Sequence, residues 1–125
     1  MTQLEAARKG IITEKMKTAA AAEGVAPEFI RDGIAKGTII ISHNDKTHKH
    51  GIPLPVGAGL RTKVNANIGT SADDTDITKE LEKARVAVKH GADAIMDLST
   101  GGPVDEIRRA IVAETSACIG SVPLY

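Results

Sequence analysis

The stretch AIMDLSTGG at residues 94–102 constrains the fold of this chain more than any other. An apolar run ends abruptly at Asp97, hydroxyl side chains follow, and two glycines precede a segment with helical periodicity. In α/β proteins, the carboxyl end of a buried strand is where side chains meet ligands. We therefore expect a strand over residues 94–98 whose carboxyl end belongs to a functional site.

Similar stretches lie before and after this one at an equal spacing. Asn67 and Met96 are 29 residues apart, and so are Met96 and Tyr125. One strand–helix–strand step takes about 30 residues. The spacing predicts three strands, which are joined by amphipathic helices and pair in parallel. The predicted strands cover residues 63–68, 94–98 and 117–124.

The rest of the chain predicts a different organisation. Residues 1–37 read as three capped helices, residues 38–42 as a short strand, and residues 43–59 as an irregular connection. We therefore place a domain boundary between a helical region, residues 1–59, and a β/α region, residues 60–125. A parallel sheet needs cover on both faces or closure into a barrel, and three β/α units give neither. The chain has the pattern expected for the front portion of a larger α/β protein.

Composition excludes several function classes. Sixteen basic and sixteen acidic residues cancel, so no general attraction to nucleic acid or to acidic membranes is expected. No apolar run reaches the ~18 residues of a spanning helix, and the N-terminus lacks a signal-peptide pattern. A single cysteine excludes an intrachain disulfide framework. We expect a cytoplasmic protein.

Several polar residues near the predicted strand ends are candidate site residues. Asn65 and Asn67 share one face of their strand, where ligand contact and structural hydrogen bonding are equally compatible with the pattern. The pattern alone predicts that Met96 is a core residue. For Asp97, the pattern is compatible both with bracing of the next loop and with contact to a ligand. Residues 99–102 give only a weak phosphate-binding signal, so capping of the following helix is favoured.

The histidines and the cysteine give no metal-site signal. His43, His48 and His50 match none of the common metal-ligand spacings, and a solvated loop is the favoured interpretation. Cys118 lies in a strand of small and β-branched residues and is most simply a buried apolar side chain. Spacing alone therefore predicts no more than a ligand-binding part of a β/α enzyme.

Longer motifs permit a family comparison. They are TQLEAARKGIIT at residues 2–13 together with Met16, PEFIR at 27–31, VNANIGTS at 64–71, MDLSTG at 96–101 and IGSVPLY at 119–125. In these motifs the chain resembles the phosphomethylpyrimidine synthase family, and the resemblance covers essentially its whole length.

The resemblance implies a fold, an activity and a set of cofactors. The implied enzyme is a radical S-adenosylmethionine carbon–carbon lyase that converts 5-aminoimidazole ribotide into 4-amino-5-hydroxymethyl-2-methylpyrimidine phosphate in thiamine biosynthesis. Its implied cofactors are a [4Fe-4S] cluster, S-adenosylmethionine and a second divalent metal, and it is a homodimer. The implied fold is α/β, with a helical N-terminal region followed by the first three units of a (β/α)8 barrel that is incomplete in this chain.

The resemblance also assigns site residues by position. Asn67, Met96 and Tyr125 match substrate-binding residues of the family, while no catalytic residue and no metal ligand falls within this chain. Met96 would present a polarisable apolar surface, and Asn67 and Tyr125 would supply hydrogen bonds. This assignment replaces the core role that pattern alone gives Met96.

Two departures from the family pattern affect these expectations. The cluster-binding cysteine triad has no counterpart here, so we expect the 125-residue chain alone to be inactive. Because its third strand would have an open edge and no covering helix, we also expect the chain alone to self-associate. The family usually reads Asn-x-x-His-Pro-Glu where this chain reads NDKTHK at residues 44–49. That difference leaves 5-hydroxybenzimidazole synthesis from the same substrate as an alternative. A non-catalytic partner that docks on a complete homologue is a further alternative.

Overall fold

A computed structural model describes residues 1–122 of the chain. Within these residues there are five helices and five strands, and the strands form two sheets. The elements are α1 (Gln3–Arg8), α2 (Glu14–Glu23), α3 (Pro27–Lys36), β1 (Ile39–Ser42), β2 (Leu54–Gly57), β3 (Asn65–Ile68), α4 (Ile77–Lys89), β4 (Ala94–Asp97), α5 (Val104–Glu114) and β5 (Cys118–Ser121). The mixed α/β class expected from the sequence is confirmed.

The chain divides into two compact units, each made of two segments. Unit 1 contains residues 1–43 and 53–62, and unit 2 contains residues 44–52 and 63–125. In unit 1, the Thr2 hydroxyl and the Glu5 carboxylate form a reciprocal capping box at the start of α1. The helices α2 and α3 end at Gly24 and Gly37, which have left-handed backbone conformations. The core of unit 1 consists of Ala6, Ala7, Met16, Ala19, Ala20, Ile30, Ile34 and Ile39.

The prediction of an irregular connection over residues 43–59 is wrong in part. Strand β2 lies within it and pairs antiparallel with β1, so that Ile41 is opposite Pro55 and Ile39 is opposite Gly57. A proline is tolerated in a strand that pairs along one edge only. Pro55 and Gly57 interrupt the alternation of apolar and polar residues by which a strand is recognised in a sequence. A side chain at position 57 would collide with the Thr38 carbonyl, because its Cβ would lie 2.2 Å from that oxygen. Glycine therefore permits this close pairing.

Unit 2 contains the predicted β/α segments. Strands β3, β4 and β5 form one parallel sheet in that order, as the spacing predicted. Helix α4 begins after Asp76, whose carboxylate accepts a hydrogen bond from the Thr78 amide. Both α4 and α5 pack on one face of the sheet through a core of Ile68, Ala84, Ile95, Ile107 and Ile111. Residues 123 and 124 of the predicted third strand lie outside the described residues.

The described helices do not have membrane-spanning character. Within residues 1–122, none combines the length and the apolar composition needed to cross a bilayer.

Candidate functional site at the strand ends of unit 2

The sheet of unit 2 has one face packed against helices and one face that presents polar and soft side chains. Successive side chains of a strand point to opposite faces, so the alternating positions of β3, β4 and β5 share the second face. We call this second face the asparagine face. Its residues are Asn65 and Asn67 of β3, Ala94 and Met96 of β4, and Cys118 and Gly120 of β5.

The strand register brings two of the predicted site residues together on the asparagine face. Asn67 is opposite Met96, and Met96 is opposite Gly120. Asn67 is exposed, and Met96 is half-buried. The Met96 thioether lies over Gly120, since a Cβ built there would be 3.0 Å from Cε and 3.2 Å from Sδ. An amide that can donate and accept hydrogen bonds thus stands beside a polarisable apolar surface.

Tyr125, the third predicted site residue, lies outside the described residues. The structure therefore brings Asn67 and Met96 together and leaves the position of Tyr125 a prediction. The sequence pattern alone favoured a core role for Met96. Its half-buried position on the asparagine face does not indicate such a role.

The loops that follow β3 and β4 are hydrogen-bonded to each other at the carboxyl edge of the sheet. The Thr70 amide donates to Ser99 Oγ at 3.1 Å, and the Thr70 hydroxyl donates to the Gly101 carbonyl at 2.7 Å. In return, the Thr100 amide donates to the Thr70 carbonyl at 3.0 Å. These bonds fix the first loop against the second just beyond Asn67 and Met96.

Glycine at position 101 is what allows this close approach. A Cβ there would lie 2.1 Å from the Ser71 carbonyl oxygen and 2.4 Å from its carbon. Both atoms belong to the backbone, so no side chain could rotate away to make room. Capping of α5 by residues 99–102, which the sequence favoured, is wrong. Pro103 is the N-cap residue, no side chain caps α5, and the hydroxyls bond across the two loops instead.

Asp97 braces the loop after β4, one of the two roles left open by its sequence pattern. Its side chain is fully buried, and Oδ1 accepts hydrogen bonds from the Ser99 amide at 3.0 Å and from the Ser99 hydroxyl at 2.5 Å. Its Oδ2 lies 3.4 Å from Nε of Arg108 on α5. Arg108 also donates from Nη2 to the Val122 carbonyl at 3.2 Å. A buried carboxylate next to Met96 is thus linked to the chain that follows β5.

A second buried carboxylate supports the end of β3. Glu80 of α4 is 2% exposed, and its Oε2 accepts a hydrogen bond from the Gly69 amide at 2.7 Å. Its Oε1 pairs with Nζ of Lys83 at 2.5 Å. No local pattern indicates this role, because the helix dipole already accounts for an acidic residue in the first turn of a helix.

Ion pairs on the surface of unit 2 hold the β3–α4 loop and the two helices. Lys79 Nζ lies 2.8 Å from Asp74 Oδ2, and this hydrogen bond lowers the pKa of Asp74 below its usual range. Arg85 of α4 pairs with Glu114 of α5 at 2.6 Å, and that hydrogen bond lowers the pKa of Glu114. These carboxylates stay ionised at neutral pH, so the pairs persist there.

The expectation of a solvated loop is wrong for one of the three histidines. His48 is 6% exposed, and its Nε2 lies 2.6 Å from the Thr115 carbonyl oxygen, while the Ile52 amide donates to the Ser116 carbonyl. His50 is exposed and its ring contacts that of His48 edge to face. Residues 44–52 are therefore anchored to the segment between α5 and β5, a long-range contact that has no local sequence signal.

The described residues do not fit an iron–sulfur cluster. Within residues 1–122, no group of three or more His, Cys, Asp or Glu side chains could hold a metal ion. Cys118 is half-buried in β5, on the asparagine face, and it is the single cysteine of the chain.

The geometry defines a class of protein. A parallel β/α sheet that is covered by helices on one face and presents polar side chains at its carboxyl edge is typical of β/α proteins that bind small ligands at their strand ends. The chain belongs to the radical SAM ThiC family, which residues 2–125 match.

Individual relatives support the same assignment. The chain is 85% identical over 124 residues to the phosphomethylpyrimidine synthase of Geobacter metallireducens, which covers 99% of this chain and 28% of that protein. It is 70% identical over 125 residues to phosphomethylpyrimidine synthase 2 of Syntrophotalea carbinolica, and 51% identical to the synthase of Pyrococcus furiosus. Each of the latter two matches covers 100% of this chain and 29% of the relative. The chain thus spans less than a third of the length of these relatives.

Proposed function

We propose that this chain supplies the first part of the substrate site in a radical S-adenosylmethionine lyase that converts 5-aminoimidazole ribotide into 4-amino-5-hydroxymethyl-2-methylpyrimidine phosphate. The single observation that carries the proposal is the pairing of Asn67 with Met96 on the asparagine face, in a chain of this family. The names of its relatives favour the pyrimidine product.

In this proposal, the asparagine face is the inner face of a (β/α)8 barrel, of which residues 60–125 form the first three units. The Asn67 amide hydrogen-bonds a polar group of the substrate, Met96 contacts the apolar side of the ring, and Tyr125 adds a third contact. The [4Fe-4S] cluster, S-adenosylmethionine and the second divalent metal are bound by parts of the enzyme beyond this segment. The enzyme acts as a cytoplasmic homodimer, with residues 1–59 as an N-terminal domain.

A second product is favoured by one local feature. The departure NDKTHK at residues 44–49 forms a turn in which the Asn44 carboxamide accepts hydrogen bonds from the Lys46 and Thr47 amides. This turn leads into His48, which docks on the Thr115 carbonyl. The alternative product, 5-hydroxybenzimidazole from the same substrate, rests on this local departure alone.

The test uses a chimera in which this chain replaces the matching segment of the Geobacter metallireducens relative. Asn67→Ala removes one buried ligand hydrogen bond, a loss of about 1–3 kcal/mol, so the affinity for 5-aminoimidazole ribotide should fall roughly 5- to 150-fold. Asn65→Ala is the matched control, because Asn65 is exposed on the same face two residues before Asn67. Equilibrium binding of the substrate, measured without turnover, gives both affinities.

The substrate affinities of the two variants distinguish a specific contact from no contact. Weakened binding in Asn67→Ala with near-normal binding in Asn65→Ala supports the proposed contact. Unchanged affinity in a correctly folded Asn67→Ala chimera contradicts it.

A further inference from the structure

A buried polar chain lies beneath the sheet of unit 2, on the face opposite to the asparagine face. Asp97 lies at its centre and is fully buried. One carboxylate oxygen accepts a hydrogen bond from the Ser99 hydroxyl. The Ser99 hydroxyl oxygen in turn accepts a hydrogen bond from the Thr70 amide, just beyond the end of β3. The other oxygen faces Arg108, which donates to the Val122 carbonyl at the end of β5. The three strand ends are therefore linked through one carboxylate.

This arrangement is more than the bracing of a single loop. Ser99 connects β4 to the loop that begins two residues after Asn67, whereas Arg108 connects β4 to the chain three residues before Tyr125. The Ser99 contacts to Asp97 are hydrogen bonds, whereas Asp97 Oδ2 and Arg108 Nε form an ion pair without a hydrogen bond among the described residues. Removing Arg108 would leave the buried carboxylate without its compensating charge. Small displacements of any strand end would break these contacts.

We infer that Asp97 is a positioning residue, which sets the relative position of the strand ends through Ser99 and Arg108. Asp97 itself points away from the asparagine face and does not touch the proposed substrate. The consequence of this positioning for substrate binding rests on the proposed function, in which Asn67, Met96 and Tyr125 contact one substrate molecule. The placement of the strand ends does not depend on that function and is measured separately.

The experiment uses the same chimera with the variants Asp97→Asn and Arg108→Gln. Methionine methyl groups labelled with carbon-13 report the strand ends by nuclear magnetic resonance, because Met96 Cε lies over Gly120. Arg108 is on α5, on the opposite side of the sheet from Met96, so a change in the Met96 methyl signal reports movement of the strands. Met16, buried in unit 1, serves as an internal control. Ile111→Val is the matched control variant, since Ile111 is fully buried in the same core.

We expect Asp97→Asn and Arg108→Gln to move the Met96 methyl signal and to weaken substrate binding about tenfold, with the double variant no weaker than the worse single variant. Ile111→Val should lower the melting temperature while binding stays within about twofold of the parent. If Asp97→Asn does not fold, Ser99→Ala tests the β3 side of the same link by exchange of the Thr70 amide.

Two outcomes are decisive. Parental Met96 signals and parental affinity in both folded variants, with only a lower melting temperature, would show a merely structural role and overturn the inference. Moved Met96 signals with unchanged affinity would support the positioning role and contradict the proposed substrate contacts instead.

Discussion

Gly101→Ala is the substitution for which the structure gives the sharpest expectation. The new Cβ would lie 2.1 Å from the Ser71 carbonyl oxygen, far inside the 3.0 Å that real Cβ contacts respect, so the two loops must separate by about 1 Å. That movement breaks the bond from the Thr70 hydroxyl to the Gly101 carbonyl and the bond from the Thr100 amide to the Thr70 carbonyl. Two such bonds contribute about 1–3 kcal/mol, and forced overpacking costs about 1–3 kcal/mol more. A local loss of about 2–6 kcal/mol follows.

Hydrogen exchange measures this loss where it occurs. At 1.4 kcal/mol for each factor of ten, exchange at the Thr70 and Thr100 amides should accelerate about 30- to 20,000-fold. Gly91→Ala is the control, because Gly91 has a φ of +93° and no atom of the described residues within 4 Å of a Cβ built there. That variant should cost about 1–2 kcal/mol at the end of α4 and leave the two loop amides unchanged. Parental exchange at Thr70 and Thr100 in Gly101→Ala would refute the close approach.

Three further predictions concern unit 2. His48→Ala leaves the Thr115 carbonyl without its 2.6 Å contact, so we expect a loss of about 1–3 kcal/mol and faster proteolysis within residues 44–52; equal cleavage in variant and parent would contradict the docking. Glu114→Gln should lower the urea midpoint at pH 7. The folded-state pKa of Glu114 is lowered, so its contribution is present above the ordinary value of 4.5 and is lost as the pH falls through the folded value. The difference between variant and parent should therefore shrink as the pH falls below 4.5, and a difference that does not change with pH would exclude the Arg85–Glu114 pair as its cause. The 125-residue chain alone should self-associate, because β5 pairs with one strand only among the described residues. A concentration-independent monomer in light scattering would contradict that expectation.

The sequence was informative wherever the structure is periodic. Equal spacing of strand-like stretches predicted the parallel pairing of β3, β4 and β5, and alternation along β3 placed Asn65 and Asn67 on one face. Glycine inside a strand also signals a close approach, and Gly120 beneath Met96 is such a case.

Other features depend on contacts between residues far apart in the chain. Asp97 was ambiguous because its partners on α5 and in the loop after β4 become evident only once the strand is placed. His48 was missed for the same reason, since the Thr115 carbonyl that it contacts lies 67 residues away. Strand β2 was missed because Pro55 and Gly57 weaken its local propensity, and pairing with β1 compensates.

The proposed function is that this chain builds part of a site for 5-aminoimidazole ribotide. Its most direct test is anaerobic turnover of the Geobacter metallireducens chimera with isotopically labelled substrate, followed by mass identification of the product. We expect labelled 4-amino-5-hydroxymethyl-2-methylpyrimidine phosphate. No labelled product from a folded, cluster-loaded chimera, under conditions in which the unmodified relative turns over, would contradict it.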